Sequence, residues 1–252
     1  MVTPLKRRLR SSLNQPLRAL LDASFGTVVA VDIELPWLAL TFDDGPDPIW
    51  TPRVLDLLAK HDARATFFMI GSHARSHPEL VAAVVAAGHA IGHHTLDHVS
   101  LPGLDAASRR HQILEGARAI GPSCTNLFRP PRGHLDLPSW WTARRHGHEI
   151  IAWSGHAFDW QSASSSVFAQ RMRAIFVPGA IVLLHDGSQA PGSAPRDVVL
   201  EALDTVLEEL GGQIVYATLP ALLAAGKARR QVRWRRPPGL APPGPRATSG
   251  SA

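Results

Sequence analysis

Two adjacent carboxylates, Asp43 and Asp44, stand at the end of an apolar run, and two imidazoles, His94 and His98, follow four residues apart. Two histidine nitrogens with one carboxylate oxygen, from Asp43 or Asp44, form a donor set that leaves positions open for water and substrate, as catalytic zinc sites do. On a helical turn the His-x-x-x-His spacing would project both rings from one face. Such a pair alone is weak evidence, because surface and capping histidines share the spacing; the Asp-Asp pair at a strand end is what strengthens it. Arg129, Asp159-Trp160 and His185-Asp186 also fall at or after the ends of expected strands.

These side chains need a scaffold that gathers strand ends, and the pattern supplies one. Trp37–Phe42 reads as a buried strand, and Thr51-Pro52 as the start of a helix that runs to His61. Strands follow at Arg64–Ile70, Ala90–Gly92, Thr125–Arg129, Glu149–Ser154, Ala180–Leu184 and Gln213–Thr218. Helices alternate with them at Pro78–Ala87, Asp105–Ile120, Pro138–His146, Ser164–Phe176, Arg196–Leu210 and Pro220–Ala225. About seven β/α units imply a parallel sheet, closed or nearly closed into a barrel, in which chemistry sits where strands end and loops begin.

Charge is distributed unevenly. The formal net charge is +5, yet residues 1–21 and 227–252 hold twelve of the 26 basic side chains and none of the 21 acidic ones, so residues 22–226 carry net −7. A basic core that reads nucleic acid is therefore excluded. The ends read as solubilising disordered segments, or as segments that touch an anionic membrane or polymer. Cys124 is the single cysteine, which rules out an intrachain disulfide. No apolar run approaches the roughly 20 residues of a transmembrane helix. The stretch Ser24–Val31 reads as a strand rather than a signal-peptide core, so a cytoplasmic location is expected.

The motifs resemble those of the polysaccharide deacetylase family, the NodB-homology or carbohydrate esterase 4 group. Thr41-Phe42-Asp43-Asp44-Gly45-Pro46 is similar to its first motif and His94-Thr95-Leu96-Asp97-His98 to its second. Arg129-Pro130-Pro131-Arg132-Gly133 is similar to the third, Asp159-Trp160 to the end of the fourth, and Leu183-Leu184-His185 to the fifth. The resemblance implies an α/β fold, a distorted (β/α)7 barrel, over residues 28–226, with a basic arm (1–27) before it and a disordered Arg/Pro/Gly-rich tail (227–252) after it.

It also implies roles. Asp44, His94 and His98 would bind one divalent metal ion, usually zinc, with cobalt as a substitute. Asp43 would be the general base, oriented by Arg129; His185 would be the general acid, paired with Asp159. The Arg132 N–H would help to hold the oxyanion, and Trp160 and Leu183 would line a pocket for the acyl methyl. The implied activity is metal-dependent removal of an N-acetyl group from an N-acetylglucosamine-containing saccharide. Deacylation or deformylation of a small-molecule or lipid-linked amide is the alternative, and a catalytically dead sugar-binding domain a third reading.

Three positions depart from the family pattern. Arg132 replaces a usual aromatic residue and makes the expected substrate surface cationic. His156 replaces an acidic residue, and His93 stands where many relatives have Asn. His93, His134 and His156 either line the cleft or are incidental loop histidines.

Overall fold

A computed structural model describes residues 15–161, 163–187 and 195–232. Its strands are β1 (Thr27–Asp32), β2 (Trp37–Asp43), β3 (Ala65–Met69), β4 (Ala90–His93), β5 (Cys124–Phe128), β6 (Glu149–Ile150), β7 (Gly155–His156), β8 (Ile181–His185), β9 (Val215–Tyr216) and β10 (Lys227–Gln231). Its helices are α1 (Gln15–Phe25), α2 (Trp50–Lys60), α3 (Gly71–Ser76), α4 (Pro78–Ala86), α5 (Ala106–Ile120), α6 (Leu137–Arg145), α7 (Ser165–Ile175), α8 (Arg196–Glu209) and α9 (Leu219–Ala225).

The main sheet is parallel, in the order β6-β5-β4-β3-β2-β8-β7, with β9 paired to the start of β2. Alternation along β2 decides which side chains reach the site. Leu38, Leu40 and Phe42 join Val54 and Leu58 of α2 and Leu203 and Val206 of α8 in the outer core. Ala39, Thr41 and Asp43 therefore face the concave interior. On β8, Val182 and Leu184 share the outer core, which leaves Ile181, Leu183 and His185 on the inner face. Burying each large apolar side chain contributes about 1.5–3 kcal/mol. Leu219 and Leu222 of α9 pack with Val28, Ala39 and Ile181, so the interior is plugged at the end away from Asp43.

Of the segment expected as one strand at 149–154, only Glu149–Ile150 is strand, as β6; β7 begins just after it at Gly155, on the opposite edge of the sheet. The Ile151 N–H donates to Phe128 O at 2.8 Å, and three residues later the Ser154 N–H donates to Ile181 O at 2.9 Å. One piece of chain thus bridges the gap between β5 and β8, and the barrel is curled and distorted rather than evenly closed.

The C-terminal boundary also moves. The Arg-rich composition from Lys227 onward suggests a disordered tail, but Lys227–Gln231 forms β10, antiparallel to β1 from Asp32↔Lys227 to Thr27↔Gln231. Arg230 adds two hydrogen bonds to Glu149, at 2.7 and 2.9 Å. The folded unit therefore extends through 232. Within the N-terminal arm, Gln15–Phe25 is helical and Thr27 already opens β1; residues 1–14 and the tail beyond 232 lie outside the described residues. Among the described residues, no helix is long and apolar enough to cross a membrane.

Candidate metal and acid–base centre

The inner ends of β2, β4, β5 and β8 meet at one mouth. Asp43 closes β2 and points inward, whereas Asp44 adopts a left-handed backbone (φ 78°) and turns its carboxylate toward the histidines. Asp44 Oδ1 lies 3.2 Å from His98 Nε2 and 3.6 Å from His94 Nε2. One ligand atom from each of Asp44, His94 and His98 falls within 4.8 Å of the others. No other such group of three or more His, Cys, Asp or Glu occurs among the described residues.

The histidine pair is not carried on a helical turn, as its spacing suggests. His94 directly follows β4, and Thr95 (φ 68°) and His98 (φ 55°) both take left-handed conformations in a loop. The loop is clamped from two sides. Gly71 and Ser72 donate their N–H groups to Thr95 O and Leu96 O at 2.9 and 2.8 Å, and the Leu96 N–H donates to Gln112 O at 2.9 Å. Gly116 of α5 backs against it so closely that a Cβ there would lie 2.5 Å from the Thr95 carbonyl carbon.

The donor set fits a divalent ion. The His94 Nδ1–H donates to Arg129 O at 2.7 Å, which leaves the Nε2 lone pair facing Asp44. Burial pulls His94 down to about 3, against the charge of Asp44, and lowers His98 as well, so both rings are neutral ligands. Asp44 Oδ1 is buried and accepts no hydrogen bond. An anionic oxygen without a donor, facing two imidazole lone pairs, is the pattern a bound cation completes.

Asp43 is held separately. Arg129, at 0% exposure, donates through Nη1 to Asp43 Oδ1 at 2.7 Å and to Thr41 Oγ1 at 2.8 Å. Its Nη2 donates to Ala152 O at 3.0 Å, and its guanidinium lies 4.1 Å from the Phe68 ring centroid. Burial raises the Asp43 carboxyl above the ordinary aspartate range, offset in part by the Arg129 charge.

His185 is the cross-strand neighbour of Asp43. Its Nδ1–H donates to Asp159 Oδ1 at 2.9 Å, and its backbone N–H donates to Asp159 Oδ2 at 2.9 Å. Burial pulls the imidazole down, but the charge and hydrogen bond of Asp159, with Asp44 and Asp43 nearby, raise it to about 9. Arg196 Nη1 donates to Asp159 Oδ2 at 2.9 Å and Nη2 to Gly187 O at 3.2 Å. Sequence reasoning missed Arg196. The available signal was a cation in the first turn of α8, where the helix dipole disfavours positive charge unless a carboxylate waits there.

The remaining expected residues divide. Trp160 stands edge-on to His185 with centroids 5.6 Å apart, and Leu183 lies buried two residues before His185 on the same face. Arg132 is exposed, with φ 56°, in a single 3₁₀ turn beside the mouth. His156 packs against Trp160 and against Phe158, which sequence reasoning also missed, at 5.0 and 4.1 Å. His134 Nδ1 lies 3.1 Å from Ser100 Oγ and ties two rim loops together. His93 does not line the cleft: it is fully buried, stacked on Phe128 at 4.8 Å, with Nε2 3.3 Å from His148 Nδ1.

The comparisons agree with this geometry. The polysaccharide deacetylase family model matches residues 34–151. A peptidoglycan-N-acetylglucosamine deacetylase of Bacillus cereus is 37% identical over 180 residues, 70% of this chain and 82% of the relative. A chitooligosaccharide deacetylase of Sinorhizobium fredii is 40% identical over 159 residues, 60% of this chain and 73% of the relative. The crystal structure of a peptidoglycan N-acetylglucosamine deacetylase in complex with 4-naphthalen-1-yl-N-oxidanyl-benzamide aligns with a TM-score of 0.74 at 28% identity, covering 82% of this chain and 97% of that one. Strand ends that converge on an Asp/His/His set beside an Arg-held aspartate, in a chain so similar to these relatives, make it a member of the polysaccharide deacetylase family.

Proposed function

We propose that this chain is a metal-dependent amide hydrolase that removes the N-acetyl group from N-acetylglucosamine units of an oligo- or polysaccharide. The observation that carries the reading is the proximity of two differently held carboxylates. Asp44 faces the imidazole nitrogens, while Asp43, one residue earlier, is fixed by Arg129. The substrate class is supported by the relatives, whose names give peptidoglycan N-acetylglucosamine and chitooligosaccharide.

Asp44, His94 and His98 would hold the divalent ion, zinc in our reading and cobalt as a working substitute. When bound, the ion supplies Lewis-acid stabilisation of charge on the acyl oxygen. Asp43 takes the proton of the attacking water; its burial makes the carboxylate a stronger base, and Arg129 keeps it oriented. The Arg132 N–H helps to hold the oxyanion, being the first backbone donor after Pro130 and Pro131, which have none. His185 donates its proton to the departing nitrogen, while Asp159 fixes Nδ1–H and leaves Nε2 as the transferring atom. Trp160 and Leu183 border the space for the acyl methyl. A catalytically dead domain has no need of Asp43 and His185 in these poised states.

The test is acetate release, followed by mass spectrometry, from chitin oligomers and peptidoglycan fragments with zinc-loaded protein. The reading expects release that a chelator abolishes and zinc or cobalt restores. If both substrates stay untouched while a small acyl amide is cleaved, the saccharide assignment fails and the hydrolase assignment survives.

A further inference from the structure

The segment that carries Asp159 presents two rings, His156 and Phe158, to which the reaction assigns no role. Burial alternates along it. Gly155, Ala157 and Asp159 are buried, His156 is half-buried, and Phe158 and Trp160 are each 38% exposed. The three outward side chains pack on one another. The His156 ring lies 4.1 Å from Phe158 and 5.0 Å from Trp160, and Phe158 lies 5.5 Å from Trp160. Trp160 in turn stands edge-on to His185, the proton donor to the departing nitrogen. His156 also lines a hollow of about 210 Å³, shared with Pro130, Gly133 and Trp153. The rings therefore continue from the reacting centre along the rim of the mouth.

Phe158 is held in a conformation that its side chain disfavours. Its backbone is left-handed, at φ 58°, where a bulky residue is an outlier. Such a backbone persists only where its surroundings fix it. Here they fix it on both sides. Arg171 Nη1 donates to Ala157 O at 3.1 Å, and the Asp159 carboxylate is bound by His185 and Arg196. The Gln161 N–H donates to Phe158 O at 2.8 Å and closes the turn. The Arg171 guanidinium, on α7, lies 5.4 Å from the Phe158 ring centroid. Glycine would take this backbone without strain, and a phenyl ring left so exposed gains only part of the stabilisation of burial. Packing alone does not account for an aromatic residue at this position.

We propose that Phe158 and His156, with the outer part of Trp160, form a subsite for the pyranose ring next to the one that loses its acetyl group. The assignment rests on the deacetylase reading and goes beyond it, because it concerns a sugar that does not react. A pyranose has apolar C–H faces and a polar rim, so its face lies on aromatic side chains while its hydroxyls stay in water or meet polar groups at the edge. A protein partner fits poorly, since two partly exposed rings offer far less than the roughly 800 Å² per partner that a stable interface buries.

The test is isothermal titration of zinc-loaded Asp43→Asn protein, in which turnover is suppressed, with N-acetylglucosamine and with the chitin tetramer. The tetramer should bind more tightly than the single sugar. Phe158→Ala should weaken the tetramer about three- to tenfold, the scale of one aromatic contact, and so shrink its advantage. Phe158→Tyr keeps the ring and should keep the advantage. Phe158→Gly accepts the left-handed backbone, should weaken the tetramer likewise, and serves if the alanine change disturbs folding. A tetramer with no advantage, or an advantage that both the alanine and glycine changes leave intact, overturns the proposal. So does an equal loss for both sugars, which would make Phe158 a support for Asp159. If the Phe158-dependent advantage appears while the unsubstituted protein releases no acetate from the tetramer, the subsite stands and the deacetylase reading falls.

Discussion

Asp43 and His185 face each other in register on adjacent parallel strands, the first buried and the second half-buried, with the aspartate's proton affinity raised by burial and the imidazole's raised by Asp159. Each side chain has its own partner, Arg129 for Asp43 and Asp159 for His185. The working state is therefore an ionised aspartate beside a protonated histidine.

A bell-shaped pH profile follows. Asp43 must be deprotonated, so activity falls on the acid side through a carboxyl value above that of an ordinary aspartate. His185 must be protonated, so activity falls on the alkaline side as pH rises through about 9. Asp159→Asn removes the charge that raises His185, and the alkaline limb should move toward neutrality in a kcat/KM profile.

Asp43→Asn should lower kcat by about 10²–10⁴-fold, the usual contribution of a positioned base. Bound metal should stay at the wild-type stoichiometry, because Asp44, His94 and His98 are untouched. Elemental analysis of the purified variant beside its turnover rate separates the two adjacent carboxylates.

Removing Arg196 should report on His185 from a distance. Arg196 shares Asp159 with His185, so Arg196→Met leaves more of the Asp159 charge to the imidazole. The alkaline limb should then shift upward, opposite to the effect of Asp159→Asn. Stability should fall by about 3 kcal/mol, because a buried charge loses its partner. A merely structural role for Arg196 would lower the melting temperature and leave the limb in place.

Gly116→Ala adds one methyl group far from any reacting atom, yet it should loosen metal binding. The new Cβ would meet the Thr95 carbonyl, on the loop that presents His98. Zinc affinity should drop by about 10–100-fold, as for other groups that orient ligands. Competition with a chromophoric chelator gives the value directly.

Metal should also stabilise the fold. Zinc at a hundred times its dissociation constant adds about 2.7 kcal/mol to a native state that alone binds it. The melting temperature should rise with zinc in the wild type and hardly at all in Asp44→Ala; an equal rise in both would place the ion elsewhere.

The site was legible where chemistry coincides with a strand end. Asp43, Asp44, Arg129 and His185 each stand where an apolar run stops, and the β/α alternation brings those stops together. The His94–His98 geometry was not legible, because left-handed Thr95 and His98 depend on Gly71, Gln112 and Gly116, which are distant in sequence. Arg196 was missed for the same reason: its partner lies 37 residues away. β10 was hidden by composition, since Lys227-Ala228-Arg229-Arg230-Gln231 has no apolar alternation and owes its strand form to pairing with β1. The strand expected at 149–154 breaks off after Ile150 because Ile151 bonds to Phe128 of β5 and Ser154 to Ile181 of β8, a constraint that periodicity does not record.

The β1–β10 pairing bears on how the gene can be re-engineered. Thr27 and Gln231 are register partners, so the first and last strands of the fold finish side by side. A short linker there would make the folded region circular, and a fresh opening on a surface turn such as Gly211-Gly212 should be tolerated. Trimming at residue 226 would instead strip β1 of its antiparallel neighbour and expose a sticky edge.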